Sequence, residues 1–209
     1  MWGKVENEKV IKIYNFPEIL RDASGTQYPT SIWQDEKKLV EFSIYPVVDA
    51  NKGPNFAELY ISTTEVYEWD SKNKNVKKTY SSTARAIEDE EIKDSDGNNV
   101  KDADGNNAIN MGIKNLLKSK VKKMQGSLLS STDKWIIRKA DTDEAIPSTV
   151  VTYRKSIRDS ATNMETAVDK IKSLDDALAL LTDVLNSDGT VKTPATLYNF
   201  PSVPVGMPT

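Results

Sequence analysis

Residues 133–159 contain Asp133-Lys134-Trp135-Ile136-Ile137-Arg138-Lys139-Ala140, then Glu144-Ala145-Ile146-Pro147, then Thr152-Tyr153-Arg154-Lys155-Ser156-Ile157-Arg158-Asp159. This stretch decides the fold of the C-terminal half, because the proline restarts the backbone and a helical apolar pattern begins beyond it. We expect Trp135 to be a mostly buried core anchor. We expect Arg154 and Arg158 to lie at an interface or to pair with carboxylates.

Beyond Pro147, apolar side chains recur at the spacing of a coiled-coil seam. The repeat comprises Val150, Ile157, Met164, Ile171, Leu178 and Leu185, with Tyr153, Ala167, Leu174 and Leu181 at companion positions. Ser160 interrupts the second series, and Ser173-Leu174-Asp175-Asp176 resembles a fresh helix start with a capping box. Two alternatives therefore stay open: an oligomeric coiled coil, or two helices packed within one domain.

The N-terminal part carries the pattern of β-hairpins. Residues 2–14 alternate around a polar turn, and residues 66–80 hold two strand-like runs around an Asn/Lys-rich turn. Residues 35–45 favour a short helix, and residues 109–129 favour a longer helix with an apolar stripe and a lysine-rich face. We interpret that basic face as solvated, because it has no arginine or aromatic residues among the lysines.

A near-duplicate of Asp94-Ser95-Asp96-Gly97-Asn98-Asn99 follows at Asp102-Ala103-Asp104-Gly105-Asn106-Asn107. Closely spaced carboxylates with a glycine suggest a calcium loop, but other residues occupy the positions where an EF-hand loop needs its glycine and its final glutamate. Asp-Gly and Asn-rich turns are the favoured interpretation, and a weak cation site is the alternative.

These patterns together predict an α+β fold. We expect a β-rich N-terminal domain over residues 1–84 and an acidic Asp/Asn/Gly-rich linker over residues 85–108. A helical domain with the coiled-coil-like seam should follow over residues 109–193. An extended Pro-rich tail should occupy residues 194–209, where it could lie in a partner's groove.

Composition excludes several kinds of chemistry. The chain of 209 residues contains no histidine and no cysteine, so imidazole catalysis, thiolate nucleophiles and most transition-metal sites are ruled out. A net charge of -3 argues against binding to nucleic acid or to an anionic membrane. With a mean hydropathy of -0.54 and no long apolar run, we expect a soluble protein, made in a cytoplasm, without cofactor or metal.

Several segments resemble a group of tailed-bacteriophage virion structural, tail-fibre and tail-fibre-assembly proteins. The resemblance rests mainly on the C-terminal third. It is carried by the Trp135 segment, Ala145-Ile146-Pro147, the motif of residues 153–159, Met164-Glu165-Thr166-Ala167 and Phe200-Pro201-Ser202-Val203-Pro204, with a short N-terminal match at residues 12–15. Phe200 stands where the family usually has tryptophan, and a second helix separates the closing motif from the Tyr-Arg helix.

The resemblance implies a non-enzymatic structural subunit of the virion, in the tail or fibre-attachment region, assembled in the host cytoplasm. Its partners would be other phage tail or fibre proteins and further copies of itself. The residues expected at these interfaces are Trp135, Tyr153, Arg154, Ile157, Arg158, Met164, Phe200, Pro201, Val203 and Pro204.

Two other functions compete with a structural subunit. The first is a tail-fibre assembly chaperone that leaves the particle, gripping an unfinished fibre with the Tyr153–Asp159 helix and the closing tail. The second is a carboxylate-only enzyme such as a glycosidase, which would need a facing pair among Glu58, Glu65 and Glu68.

Overall fold

The computed structural model describes residues 1–207 and divides the chain into two units. The first unit is Met1–Ala84 and consists largely of strands, whereas the second begins at Arg85 and is built mainly from helices. The predicted α+β class, with strands preceding helices, is therefore confirmed.

One five-stranded sheet dominates the first unit. The elements of this unit are β1 (Trp2–Glu6), β2 (Lys9–Tyr14), β3 (Leu20–Arg21), β4 (Gln27–Tyr28), a 3-10 helix (Thr30–Gln34), α1 (Glu36–Glu41), β5 (Ile44–Asp49), a second 3-10 helix (Ala57–Leu59), β6 (Tyr60–Asp70) and β7 (Asn75–Ala84). The strand order in the sheet is β2-β1-β5-β7-β6. Strands β5 and β7 are parallel, and the other neighbours are antiparallel.

Both predicted hairpins are present, as β1–β2 and β6–β7. The predicted helix over residues 35–45 is shorter than expected. Asp35 caps its start by accepting hydrogen bonds from the N–H groups of Lys37 and Lys38, and Ser43, at a φ of 57°, turns the chain directly into β5. The core beside these elements is formed by Tyr14, Leu20, Ile32, Trp33, Leu39 and Ile44.

Within the described residues, the second unit contains four helices and two small strand pairs. These elements are β8 (Glu90–Glu91), β9 (Ile109–Asn110), α2 (Ile113–Ser130), α3 (Asp133–Thr142), α4 (Ser148–Asp169), α5 (Leu174–Leu181), β10 (Val184–Leu185) and β11 (Val191–Thr193). Strand β8 pairs with β9, and β10 pairs with β11. Helix α3 was not predicted, because the sequence around Trp135 was interpreted as a helix break followed by an anchor.

The apolar seam packs inside the second unit. Helices α2 and α4 lie against each other, and their facing stripes are buried. The buried side chains are Ile113, Leu117 and Val121 of α2 and Val150, Tyr153, Ile157, Ala161, Met164 and Val168 of α4. Of the two alternatives for the seam, the structure therefore supports packing within one domain, because the seam's first half has no exposed surface left for a partner.

The seam ends where a new helix begins. Ser173 accepts a hydrogen bond from the N–H of Asp176, and the Asp176 carboxylate accepts from the N–H of Ser173, which is the capping box predicted from the sequence. This break changes the phase of the pattern. Leu185, predicted as the last seam residue, lies instead in β10 and is 56% exposed.

The segment predicted as a linker is structured. In residues 90–110, the repeat segment, three backbone hydrogen bonds form a closed triangle in which Val100 donates to Ile92, Ala108 to Val100 and Ile92 to Ala108. Each turn between these residues is closed by the same aspartate geometry, with Asp94 and Asp102 each accepting two backbone N–H groups. The prediction of a linker is wrong here, because successive repeats pair with one another.

The predicted extended tail is also wrong in part. Leu197 is 2% exposed and its N–H donates to the carbonyl of Leu180, so the beginning of the tail packs on the helical core. Farther on, the N–H of Met207 donates to the carbonyl of Pro204, which closes a turn. The predicted end of the tail, Pro208 and Thr209, lies outside the described residues.

Candidate protein interaction surface

The Tyr-Arg motif of α4 forms part of the core. Tyr153, Ile157 and Met164 are no more than 3% exposed, and Arg154 is 8% exposed. These four residues were predicted to lie at an interface with a partner. Their burial within the second unit corrects that prediction, because these side chains have almost no surface left to contact another protein.

Arg154 is paired with a carboxylate, one of the two alternatives that the sequence left open. Its Nη1 donates to the carbonyl oxygen of Leu129, to Oγ1 of Thr132 and to Oδ1 of Asp133, at 2.7 to 2.8 Å. These acceptors lie at the end of α2 and the start of α3. The guanidinium therefore joins three helices at one point, with the two hydrogens of Nη1 shared among the three acceptors, and its charge strengthens this cluster of bonds.

Helix α3 presents apolar surface outward. None of its ten residues is fully buried, and Ile136 and Ile137 are 40% and 67% exposed. Trp135 is mostly buried, as expected, although it is not fully enclosed. Its ring lies beneath the cationic groups of Lys134 and Arg138.

A second exposed apolar element is the hairpin formed by β10 and β11, called here the apolar hairpin. Val184, Leu185 and Val191 are each more than half exposed. The turn between its strands is closed by hydrogen bonds between Asn186 and Thr190. This hairpin was not predicted. Its Asn-Ser-Asp-Gly sequence between apolar runs was the signal of a hairpin.

The closing motif splits into two parts. Phe200 and Pro201 are half-buried, whereas Val203 and Pro204 are exposed. Val205, which was not predicted, is fully exposed. Arg158 is exposed on α4. Of the ten predicted interface residues, Val203, Pro204 and Arg158 are thus the ones most accessible to a partner.

Glu65 and Glu68, two of the three carboxylates proposed for a glycosidase, do not form a facing pair. Glu65 and Glu68 are three residues apart on β6, so their side chains point to opposite faces of the sheet. Glu65 accepts hydrogen bonds from Nζ of Lys78, at 2.6 Å, and from the hydroxyl of Tyr67, and these bonds hold its pKa below the ordinary value. A general acid requires the opposite shift, so Glu65 lacks the shift that this role needs, and its bonds with Lys78 and Tyr67 are those of an ion-pair network.

The aspartate repeats use their carboxylates internally. The backbone N–H of Asn98 is the main cause of a lowered pKa at Asp94, and the amides of Asn107 and Asn99 lower the pKa of Glu91. Across residues 1–207, no group of three or more acidic side chains is arranged to hold a metal ion. The geometry is that of hydrogen-bonded turns.

None of the described helices combines the length and the apolarity that a membrane crossing requires. Comparison of the chain with protein-family models, with curated proteins and with solved structures finds no match in any of the three.

Proposed function

We propose that this chain is a structural subunit of a tailed-bacteriophage virion, in the tail or fibre-attachment region, and that it acts through protein contacts and not through catalysis. The observation that carries the proposal is the exposure of apolar side chains on separate elements of the second unit. These side chains are Ile137 on α3, Val184, Leu185 and Val191 on the apolar hairpin, and Val203 and Val205 in the segment of residues 200–207.

An exposed apolar side chain is common when it stands alone, but neighbouring ones on a protruding element favour a contact with another protein. The apolar hairpin contains three such residues within two short strands. A buried core that is already complete, between α2 and α4, leaves these side chains available for assembly.

The phage context of the proposal comes from the resemblance of the C-terminal third. In this structure the motif at Tyr153 and Arg154 has a folding role, because it holds α4 against the ends of α2 and α3. The parts of the resemblance that can contact partners are Arg158 and the closing motif, at Val203 and Pro204.

Immunogold electron microscopy of purified particles tests the proposal. Antibodies raised against the purified chain should label the tail or the fibre-attachment region of intact particles. Labelling of the head alone, or particles without label despite labelling of the denatured protein on a blot, would overturn the proposed location.

A further inference from the structure

A groove of about 370 Å³ lies in the second unit between helix α4 and the chain that follows β11. Met164 and Pro194 supply apolar surface to it. Its polar lining comes from Ser160, Asn163, Thr193, Thr196 and Asn199. No charged side chain lines this groove, although 28% of the residues of the chain are charged.

The polar side chains of the groove are not used by the fold. Within residues 1–207, none of the five takes part in a side-chain hydrogen bond to another residue. Hydroxyl and amide groups of this kind both donate and accept. The groove therefore offers neutral hydrogen-bonding groups around an apolar surface, which suits an uncharged peptide segment.

The same chain carries a segment with matching chemistry. No charged side chain follows Lys192, and Val203 and Val205 are exposed. The turn from Pro204 to Met207, with Gly206 at a φ of 77°, holds Val205 at its tip. Residues 200–207 do not line the groove of their own chain, although Asn199, the residue just before them, does.

We propose that residues 200–207 of one copy dock in the groove of a second copy, and that the exchange is reciprocal, giving a two-fold dimer. Asn199 lies at the groove and Val205 is six residues farther on, so the segment can reach at most about 20 Å from its own groove. An exchange between two copies uses the same patch twice, as a two-fold interface requires.

A second copy is the occupant that these observations favour. Each chain carries both the uncharged groove and the uncharged, exposed valine turn, so two copies can exchange their segments reciprocally. The inference rests on the proposed function only in assigning the chain to an assembly, and it deepens that function by naming one contact.

Sedimentation equilibrium of the full 209-residue chain tests the proposal. The wild type should form dimers. Val205→Asp should raise the dimer dissociation constant about tenfold or more, because it places a charge in a neutral groove. Asn163→Arg, which obstructs the groove from an exposed helix position, should have a similar effect.

Two matched variants control for nonspecific effects. Val151→Asp adds the same charge at another exposed apolar residue, on α4 and outside the groove lining, and Thr162→Arg adds the same side chain next to Asn163 but outside the groove lining. Both should dimerise as the wild type does. Circular dichroism of all four variants should match the wild type, since each substituted side chain is exposed.

Mixing the two disruptive variants gives the sharpest test. The Asn163→Arg chain keeps an intact segment and the Val205→Asp chain keeps an intact groove, so an equimolar mixture should form heterodimers through one of the two contacts. A wild type that stays monomeric, or a dimer unaffected by both variants, would overturn the inference, as would equal weakening by the control variants.

These outcomes are separate from the test of the proposed function. If the chain dimerises through the groove but antibodies against it do not label particles, the groove contact stands and the proposed virion role is wrong. If antibodies against the chain label particles but the Val205→Asp and Asn163→Arg variants dimerise as the wild type does, only the proposed groove contact is wrong.

Discussion

Nη1 of Arg154 lies 2.8 Å from Oδ1 of Asp133, and this ion pair joins the second turn of α4 to the first residue of α3. The same nitrogen also reaches the carbonyl of Leu129 and the hydroxyl of Thr132, which is 1% exposed. Because α3 has no fully buried residue, this contact and the partly buried ring of Trp135 help to hold it in place.

Arg154→Met should lower the free energy of unfolding by about 2–3 kcal/mol. The substitution keeps most of the aliphatic volume but removes the charged donor from three acceptors, of which only Asp133 is well exposed to solvent. Arg158→Met, at an exposed position one turn along the same helix, should change stability by less than about 0.5 kcal/mol. Denaturant unfolding followed by far-ultraviolet circular dichroism measures both, and equal effects would contradict a joining role for Arg154.

Gly112→Ala should destabilise the second unit by about 3 kcal/mol or more. A Cβ at this position would lie 2.3 Å from the carbonyl carbon and oxygen of Glu88. That backbone cannot move aside easily, because the preceding carbonyls of Ala86 and Ile87 accept hydrogen bonds from the first N–H groups of α2. The close approach thus requires glycine.

Gly126→Ala provides the matched control in the same helix. Nothing lies within 4 Å of a Cβ built at Gly126, so the substitution should stabilise α2 by about 1 kcal/mol through helix propensity alone. Hydrogen exchange of the α2 and α4 amides reports both variants. Protection that falls equally in the two would mean that crowding at Glu88 is not the cause.

Acidification should weaken the repeat segment through Glu91. Nδ2 of Asn107 and Nδ2 of Asn99 donate to its carboxylate, at 2.6 and 2.7 Å, and hold its pKa below the ordinary value. A folded-state pKa below the unfolded one contributes stability above about pH 4.3, and this contribution is lost as the pH falls further. The excess stability of the wild type over Glu91→Gln should therefore shrink below that pH.

Unfolding measured across this pH range for the wild type, Glu91→Gln and Asn107→Ala provides the check. Asn107→Ala removes the larger cause of the shift, so its stability should depend less on pH than that of the wild type in the same window. A difference between the wild type and Glu91→Gln that stays constant down to about pH 3 would show that the two amides do not shift this carboxyl group.

Local signals in the sequence predicted the elements whose partners are close in the chain. The turn near Asn7 predicted the β1–β2 hairpin, and Ser173 with Asp176 predicted the start of α5. The stripe of α2 and the first half of the seam were also visible, because burial on a helix follows its period. By contrast, the parallel pairing of β5 with β7 joins distant segments and has no local signal.

The pairing of the repeat segment and the residues of the interaction surface could not be predicted from the sequence, for physical reasons. Each Asp-Gly turn resembles an ordinary loop, and only the spacing of eight residues between Ile92, Val100 and Ala108 reveals that the turns pair. Tyr153 and Arg154 were predicted to contact a partner, but they are buried in the core of the second unit. Val203 was predicted from the resemblance alone and Val205 was not predicted, because neither lies in a periodic pattern that would indicate its exposure.

Quantitative mass spectrometry of purified phage particles, compared with lysate of infected cells, tests the proposed role as a virion subunit most directly. The proposal predicts peptides of this chain in the particles, at a constant ratio to other tail proteins after repeated purification. Abundant peptides in the lysate with none in the particles would contradict a resident subunit and favour the assembly chaperone.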